Sequence, residues 1–155
     1  MQGPPFWQRL LAALAYLLPW SDALPYGRWL FSQFPVLNWT ALPALPLMTL
    51  QQAIPFGSLL VFFVLFLAVA RNPQVPYLIR FNVLQAILID IVLMLLTLAF
   101  DTLLAPLGTG LVLRTLSNTV FLGVLLLVGY AVVQCLRGEE ADIPTVSEAV
   151  RMQLL

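Results

Sequence analysis

The sequence predicts an all-α integral membrane protein with four transmembrane helices. The first is short or kinked at a proline, and a proline-rich interfacial segment follows it. Three observations carry this reading. Of 155 residues, 61% are hydrophobic and only 9% are charged, where a soluble domain has about a quarter charged. Mean hydropathy is +0.97. The apolar residues also gather in runs long enough to approach the ~30 Å of a bilayer's hydrocarbon core, in one membrane domain covering residues 1–155.

The first span, residues 7–31, is the difficult one. Leu10–Leu18 (LLAALAYLL) is apolar but short, and Pro19, Asp22, Pro25 and Gly27 follow it. A continuous helix here is kinked by Pro19 and carries Asp22 inside it. Three readings fit: a proline-kinked span, a short helix leading into an interfacial segment, and a cleaved secretory signal. The last arises because Arg9, the apolar run and Ser21-Asp22-Ala23 mimic a signal's three regions. Residues 33–53 are apolar yet hold Pro35, Pro43 and Pro46. Irregular backbone exposed to lipid leaves polar groups unsatisfied, so this stretch belongs at the interface or against protein. All four tryptophans, Trp7, Trp20, Trp29 and Trp39, lie in this first quarter, as interfacial anchors or as packing between helices.

The second span, residues 54–70, begins at Pro55 in a first helical turn and stops at Arg71-Asn72-Pro73. The third, 77–100, is the clearest, and the fourth, 116–136, nearly as clear. With four spans, Arg9, Arg71, Arg80, Arg137 and Arg151 share one face and Arg28 and Arg114 the other. Five against two places both termini and the central loop in the cytoplasm or stroma. The soluble tail is 138–155, acidic at Glu139, Glu140 and Asp142. Its second half has the pattern of a short amphipathic surface helix.

Polar groups inside the spans are the candidate functional residues. Asp90 falls near the midplane of the third span, where an aspartate costs about 2.5–3.5 kcal/mol to insert. At ~100° per residue, Asn82, Ala86, Asp90, Thr97 and Asp101 fall within an arc of about 100°, with Gln85 at its edge. Such a stripe faces a bundle interior or a water-filled cavity. It serves either as a polar intramembrane path (Asn82, Gln85, Asp90 and Thr97) or as a seam of interhelical hydrogen bonds. On the fourth span, Arg114, Asn118 and Gly129 line one face; Thr119, Gly123, Tyr130 and Gln134 line another, where small residues let a neighbouring helix approach. Asp101 and Arg114 meet at one membrane edge and are candidates for an ion pair. Arg71, Arg80 and Asp142 are candidates for cytoplasmic contacts.

Whole classes of chemistry drop out. The absence of histidine removes Ser-His-Asp and Cys-His nucleophile systems and His-ligated metal sites. A single cysteine, Cys135, closes no intramolecular disulfide. Scattered arginines with no net charge leave no nucleic-acid footprint. No phosphate loop, nucleophile elbow or metal motif occurs. The sequence therefore predicts no enzyme, no cofactor and no metal.

Three stretches carry a resemblance. Arg71–Asn82 (RNPQVPYLIRFN) resembles the hallmark RN-x-x-x-P-x-x-(I/F)-R-F-(H/N), with Asp90 where that family carries an acid in the following helix. Ala141–Ala149 (ADIPTVSEA) resembles its ADIP-x-V-x-(D/E)-A ending, and Tyr16–Gly27 (YLLPWSDALPYG) is similar to cyanobacterial members. The family is Tic-twenty, the twenty-kilodalton component of the translocon at the inner envelope of chloroplasts. The resemblance covers nearly the whole chain. It implies four membrane helices, both termini cytoplasmic or stromal, a retained first segment, and a role in protein import. Unlike plant members, the chain starts with an apolar stretch rather than a Ser/Arg-rich transit peptide and has Asn82 where they often have histidine. A cyanobacterial origin follows, with the plasma or thylakoid membrane as the site.

The expected function is a subunit of a Tic-like protein-translocation complex, offering a polar path to a translocating polypeptide. Four thin helices enclose no pore wide enough for a chain, so other subunits or a homo-oligomer are required, with membrane lipids around them. Two rivals remain: a small cation or solute transporter using Asp90, and an assembly factor for membrane complexes in which the polar seam is only packing.

Overall fold

A computed structural model describes residues 4–107, 110–139, 143 and 146–154. Asp142 lies outside these residues. Among them every regular element is helical.

Everything is arranged around one long helix, α6 (Tyr77–Ala99), which is extended by a wide π turn at Phe100–Leu104. Its N-terminal half is buried on all sides: residues 81–87 are all covered. That is the signature of a central helix. Beside it runs α7 (Leu111–Leu136). These two are the helices long and apolar enough to cross a membrane, as Tyr77–Leu104 and Leu111–Leu136. In the most apolar window of the second, only 17% of residues are buried within the protein. Leu111, Val112, Leu126 and Val133 point outward. A surface of that kind is stable against acyl chains and not against water.

The segment before the first proline-rich stretch is a broken rod, not one straight span. It comprises α1 (Phe6–Leu14), α2 (Leu17–Ala23), a 3₁₀ turn (Leu24–Gly27) and α3 (Arg28–Gln33). The first break falls at Ala15–Tyr16. Pro19 explains it, because its ring clashes with the carbonyl four residues earlier and it donates no hydrogen bond. The turn tightens there, with Leu18 N–H donating to Ala15 O at 3.2 Å. The rod packs on α6 and α7 through small residues, Ala12 and Ala13 facing Ala86 and Ala131. Small side chains let backbones approach where apolar burial supplies no drive between helices.

The proline-rich stretch does leave the regular helix: Pro35–Ala44 is a run of 3₁₀ turns leading into α4 (Leu45–Ala53). Trp20 is buried, donating Nε1–H to Thr40 O at 2.8 Å and packing on Phe121. It is a packing residue, whereas Trp7 and Trp39 are exposed. A corner then turns the chain into α5 (Gly57–Val64), which ends in a π turn at Leu65–Ala70. The corner needs Phe56 in the left-handed region (φ 57°). It also needs glycine at 57, where a Cβ would lie 2.0 Å from Gln51 O.

The central loop is built by its own motif. Asn72 Oδ1 accepts from Gln74 N–H at 3.0 Å, making an Asx turn. Arg80 reaches back to donate Nε–H to Ala70 O at 3.1 Å, capping the helix before the loop. Helix α7 ends in a Schellman motif, with Gly138 N–H bonded to Cys135 O and Glu139 N–H to Gln134 O, both at 2.9 Å. Gly138 holds φ 78° there. The tail beyond is not simply solvated. Its second half forms α8 (Val146–Leu154), which packs against α6 with Ser147 and Val150 fully buried.

Candidate functional site

The polar residues of α6 sort into three groups along its length. The first is a closed hydrogen-bond cluster near the N-terminal end of the helix. The break before Pro19 turns Tyr16 toward α6, where its hydroxyl donates to Asn82 Oδ1 at 2.6 Å and accepts from Gln85 Nε2–H at 2.9 Å. The Cys135 thiol of α7 also donates to Asn82 Oδ1, at 3.2 Å. Asn82 Nδ2–H returns to Leu78 O at 2.8 Å. From α8, Ser147 Oγ–H donates to Gln85 Oε1 at 2.5 Å and accepts from Ile143 N–H at 2.7 Å. Tyr16, Asn82, Gln85, Cys135 and Ser147 are all fully buried. One network thus ties together the first segment, α6, α7 and the C-terminal helix.

The second group is Asp90, two turns further along and 1% exposed. The Asp22 carboxyl of α2 lies beside it. Asp90 Oδ1 has no hydrogen-bond partner among the described residues. The acid that interrupts the first segment and the acid in mid-α6 are therefore a facing pair.

The third group surrounds a cavity of about 830 Å³ at the end of the bundle remote from Arg71 and Arg80. Thr97 bonds the Tyr26 hydroxyl at 2.7 Å on its wall. Asp22, Gln51, Asp101 and Ser117 also line it. Gln51 Nε2 has no partner, and Ser117 is 4% exposed.

The structure brings Asn82 and Gln85 together, sets Asp90 against Asp22, and joins Thr97 to Tyr26. Asp101 lies on the cavity wall, and Arg114 sits half-buried on α7. Among the described residues the ion pair is Arg137 with Glu139, at 3.7 Å on the surface, and Asp101 and Arg114 do not join in one. Arg71 stacks over the Phe66 ring at 5.4 Å, and Arg80 caps Ala70. Around Gly123 and Gly129 on α7 there is open space, so no helix among the described residues fills the approach those glycines allow.

Sequence reasoning missed Tyr16, Cys135, Ser147 and Tyr26 as members of these clusters. The signal for Tyr16 and Tyr26 is a hydroxyl carried into an apolar stretch, which calls for a partner when buried. For Ser147 no local signal exists, because its partner is 62 residues away.

Comparison with known proteins places the chain in a family. Residues 1–150 match the family model described as "Chloroplast import apparatus Tic20-like". A Tic20 family protein of Synechocystis sp. (strain ATCC 27184 / PCC 6803 / Kazusa) is 44% identical over 147 residues, covering 94% of this chain and 92% of that protein. Protein TIC 20-II, chloroplastic, of Arabidopsis thaliana is 33% identical over 153 residues, covering 97% of this chain and 74% of its own length. Protein TIC 20-v, chloroplastic, of the same plant is 32% identical over 148 residues, covering 95% and 71%. The chain belongs to the Tic20-like family of the chloroplast import apparatus.

Proposed function

We propose that this chain is a non-catalytic membrane subunit of a protein-translocation complex, and that the α6 stripe of Asn82, Gln85, Asp90 and Thr97 borders the path of the polypeptide. The observation that supports this best is the stripe's setting. Polar groups lie along one otherwise apolar helix, with a cavity at one end and a docked C-terminal helix at the other. In this reading α1–α3 and α5 with its π turn complete a four-pass arrangement. Both termini and the Arg71–Pro76 loop then face the cytoplasm or stroma. The Asn82–Gln85 cluster is the closed end of the path, and withdrawing α8 opens it. Arg71, Arg80 and Asp142 lie at the face where other subunits dock. So few helices leave no room for a chain between them, so a second copy or partner subunits supply the remaining wall.

The test is a photocrosslinker placed in turn at 82, 85, 90 and 97, with a polypeptide stalled during translocation. Crosslinks from these positions, absent from Leu95 and Leu98 on the exposed face of α6, are expected. Equal crosslinking from both faces overturns the path. The unpartnered Asp90 oxygen beside Asp22 favours a second reading, a small cation or solute transporter. Flux into liposomes that Asp90→Asn abolishes, without crosslinks to polypeptide, selects it.

A further inference from the structure

We propose that the cavity between α2, α4, α6 and α7 is a binding site for a neutral, hydroxyl-rich head of one or two sugar rings, carried by a membrane lipid. This goes beyond translocation, since binding here requires no passage of a polypeptide.

The mixture of polar groups on the wall carries the first part of the argument. Asp22 and Asp101 offer acceptors, and Arg28 and Gln51 offer donors. Gln51 Nε2 is buried and has no partner among the described residues. The Arg28 guanidinium lies 4.0 Å over the centre of the Trp29 ring, and among the described residues it pairs with neither acid. A cation placed here meets Arg28 and the Gln51 donor, and an anion meets the two carboxyl groups. A hydroxyl is opposed by none of them, because it donates to a carboxyl oxygen and accepts from an N–H.

Spacing carries the second part. Asp22 lies beside Asp90, and Asp101 stands eleven residues beyond Asp90 in sequence, about 16 Å along a helix. No single charged head meets both acids. Hydroxyls spread over two linked rings reach polar groups that one point charge cannot. Ser117 adds a further partner: it lines the cavity at 4% exposure and forms no hydrogen bond within the described residues. A buried hydroxyl is ordinarily paired. The volume of about 830 Å³ is that of a site for a small organic group.

The apolar part of the lining points to a lipid as the carrier. Tyr26 and Phe100 meet edge to face at 5.2 Å on the wall and offer apolar surface to the C–H face of a sugar. Met94 also lines the cavity and is exposed, next to Leu95 and Leu98 on the outward face of α6. The cavity thus borders the surface that acyl chains cover, and Thr97, Phe100 and Asp101 on its wall fall near the end of the span Tyr77–Leu104, where head groups lie. A sugar seated inside leaves its acyl chains to run down that outward face.

The full-length protein is reconstituted in nanodiscs of equal parts digalactosyl diacylglycerol, phosphatidylglycerol and phosphatidylcholine. It is then released into a detergent without a sugar head, and the lipid retained is read by native mass spectrometry. The glycolipid is expected to be retained at least about tenfold over either phospholipid, a difference of about 1.4 kcal/mol. Gln51→Leu and Asp101→Asn are each expected to lower that preference severalfold, and Ser117→Ala by a smaller factor. Leu126→Ala, on the outward face of α7, is expected to leave it unchanged. Asp101 is exposed, so its variant retains the fold. Free melibiose is expected to displace the glycolipid far less well than added glycolipid does; equal displacement assigns the site to a soluble sugar and overturns the lipid as carrier. Retention of either phospholipid as strongly as the glycolipid, or a preference unchanged in both Gln51→Leu and Asp101→Asn, overturns the proposal.

Discussion

Tyr16 shows what a single residue decides here. It sits at the break between α1 and α2, and its hydroxyl both gives and receives a hydrogen bond across the bundle. Interhelical bonds of this kind in membranes are worth about 0.6–2 kcal/mol, and orphaning a buried partner costs about 1–3 kcal/mol. Tyr16→Phe removes one hydrogen bond from Gln85 Nε2 and one donor from Asn82. A loss of about 1–3 kcal/mol in detergent unfolding is expected. In a double-mutant cycle with Asn82→Ala the two losses are non-additive, because the residues share one bond; strict additivity contradicts the network. Glycines make a second contrast. At Gly27 a Cβ would lie 2.7 Å from the Phe121 ring, whereas at Gly129 it meets nothing. Gly27→Ala is therefore expected to lower the unfolding midpoint and Gly129→Ala to leave it unchanged or raise it. Alanine is the better helix former by about 1 kcal/mol.

At the scale of elements, α8 is the informative one. Its exposed residues look like any amphipathic tail, yet Ser147 holds Gln85 Oε1 and Ile143 N–H at once. Ser147→Ala leaves both without that partner. The expected result is faster hydrogen exchange across residues 146–154, with α6 beyond Asp90 unchanged. No change in exchange would mean that Val150 and its apolar neighbours alone hold the helix down. The central loop behaves in the same way. Arg80 closes it onto Ala70, so Arg80→Ala is expected to make residues 71–76 the preferred site of limited proteolysis. The resemblance motif of this loop is thus in large part a folding motif. The asparagine makes the turn, the prolines stiffen it, and the second arginine caps the helix before it.

For the whole molecule, the decisive feature is the solvent. The core is three clusters strung along α6, while α7 and α5 send leucine, valine and phenylalanine outward. With lipid outside, such a surface costs nothing, and specificity comes from close backbone contact and hydrogen bonds. Orientation follows as a prediction: a cysteine introduced at Gln74 and another at Pro106 should react with an impermeant maleimide from opposite sides of the membrane. Native Cys135 is buried and stays silent. Labelling of both from one side would refute the crossing of the membrane by α6.

The sequence by itself determined the helical class, the two long spans, the proline-rich departure from helix, and the stripe on α6. Each of these rests on local periodicity, proline stereochemistry or the cost of a polar group in an apolar run. For the first segment it left three readings open, one of them a kink from Pro19; the break itself falls at Ala15–Tyr16, a turn before that proline. Only the tertiary structure decided what the polar groups do. Asn82 and Gln85 close onto Tyr16, Cys135 and Ser147; Asp90 meets Asp22; Asp101 lines a cavity and does not join Arg114. The hydrogen-bonded partners are 53 to 71 residues apart in sequence. No local pattern encodes them. A hydrogen bond is satisfied by whichever group the packing of the helices brings within 3 Å or so of it, and that packing is a property of the assembled bundle.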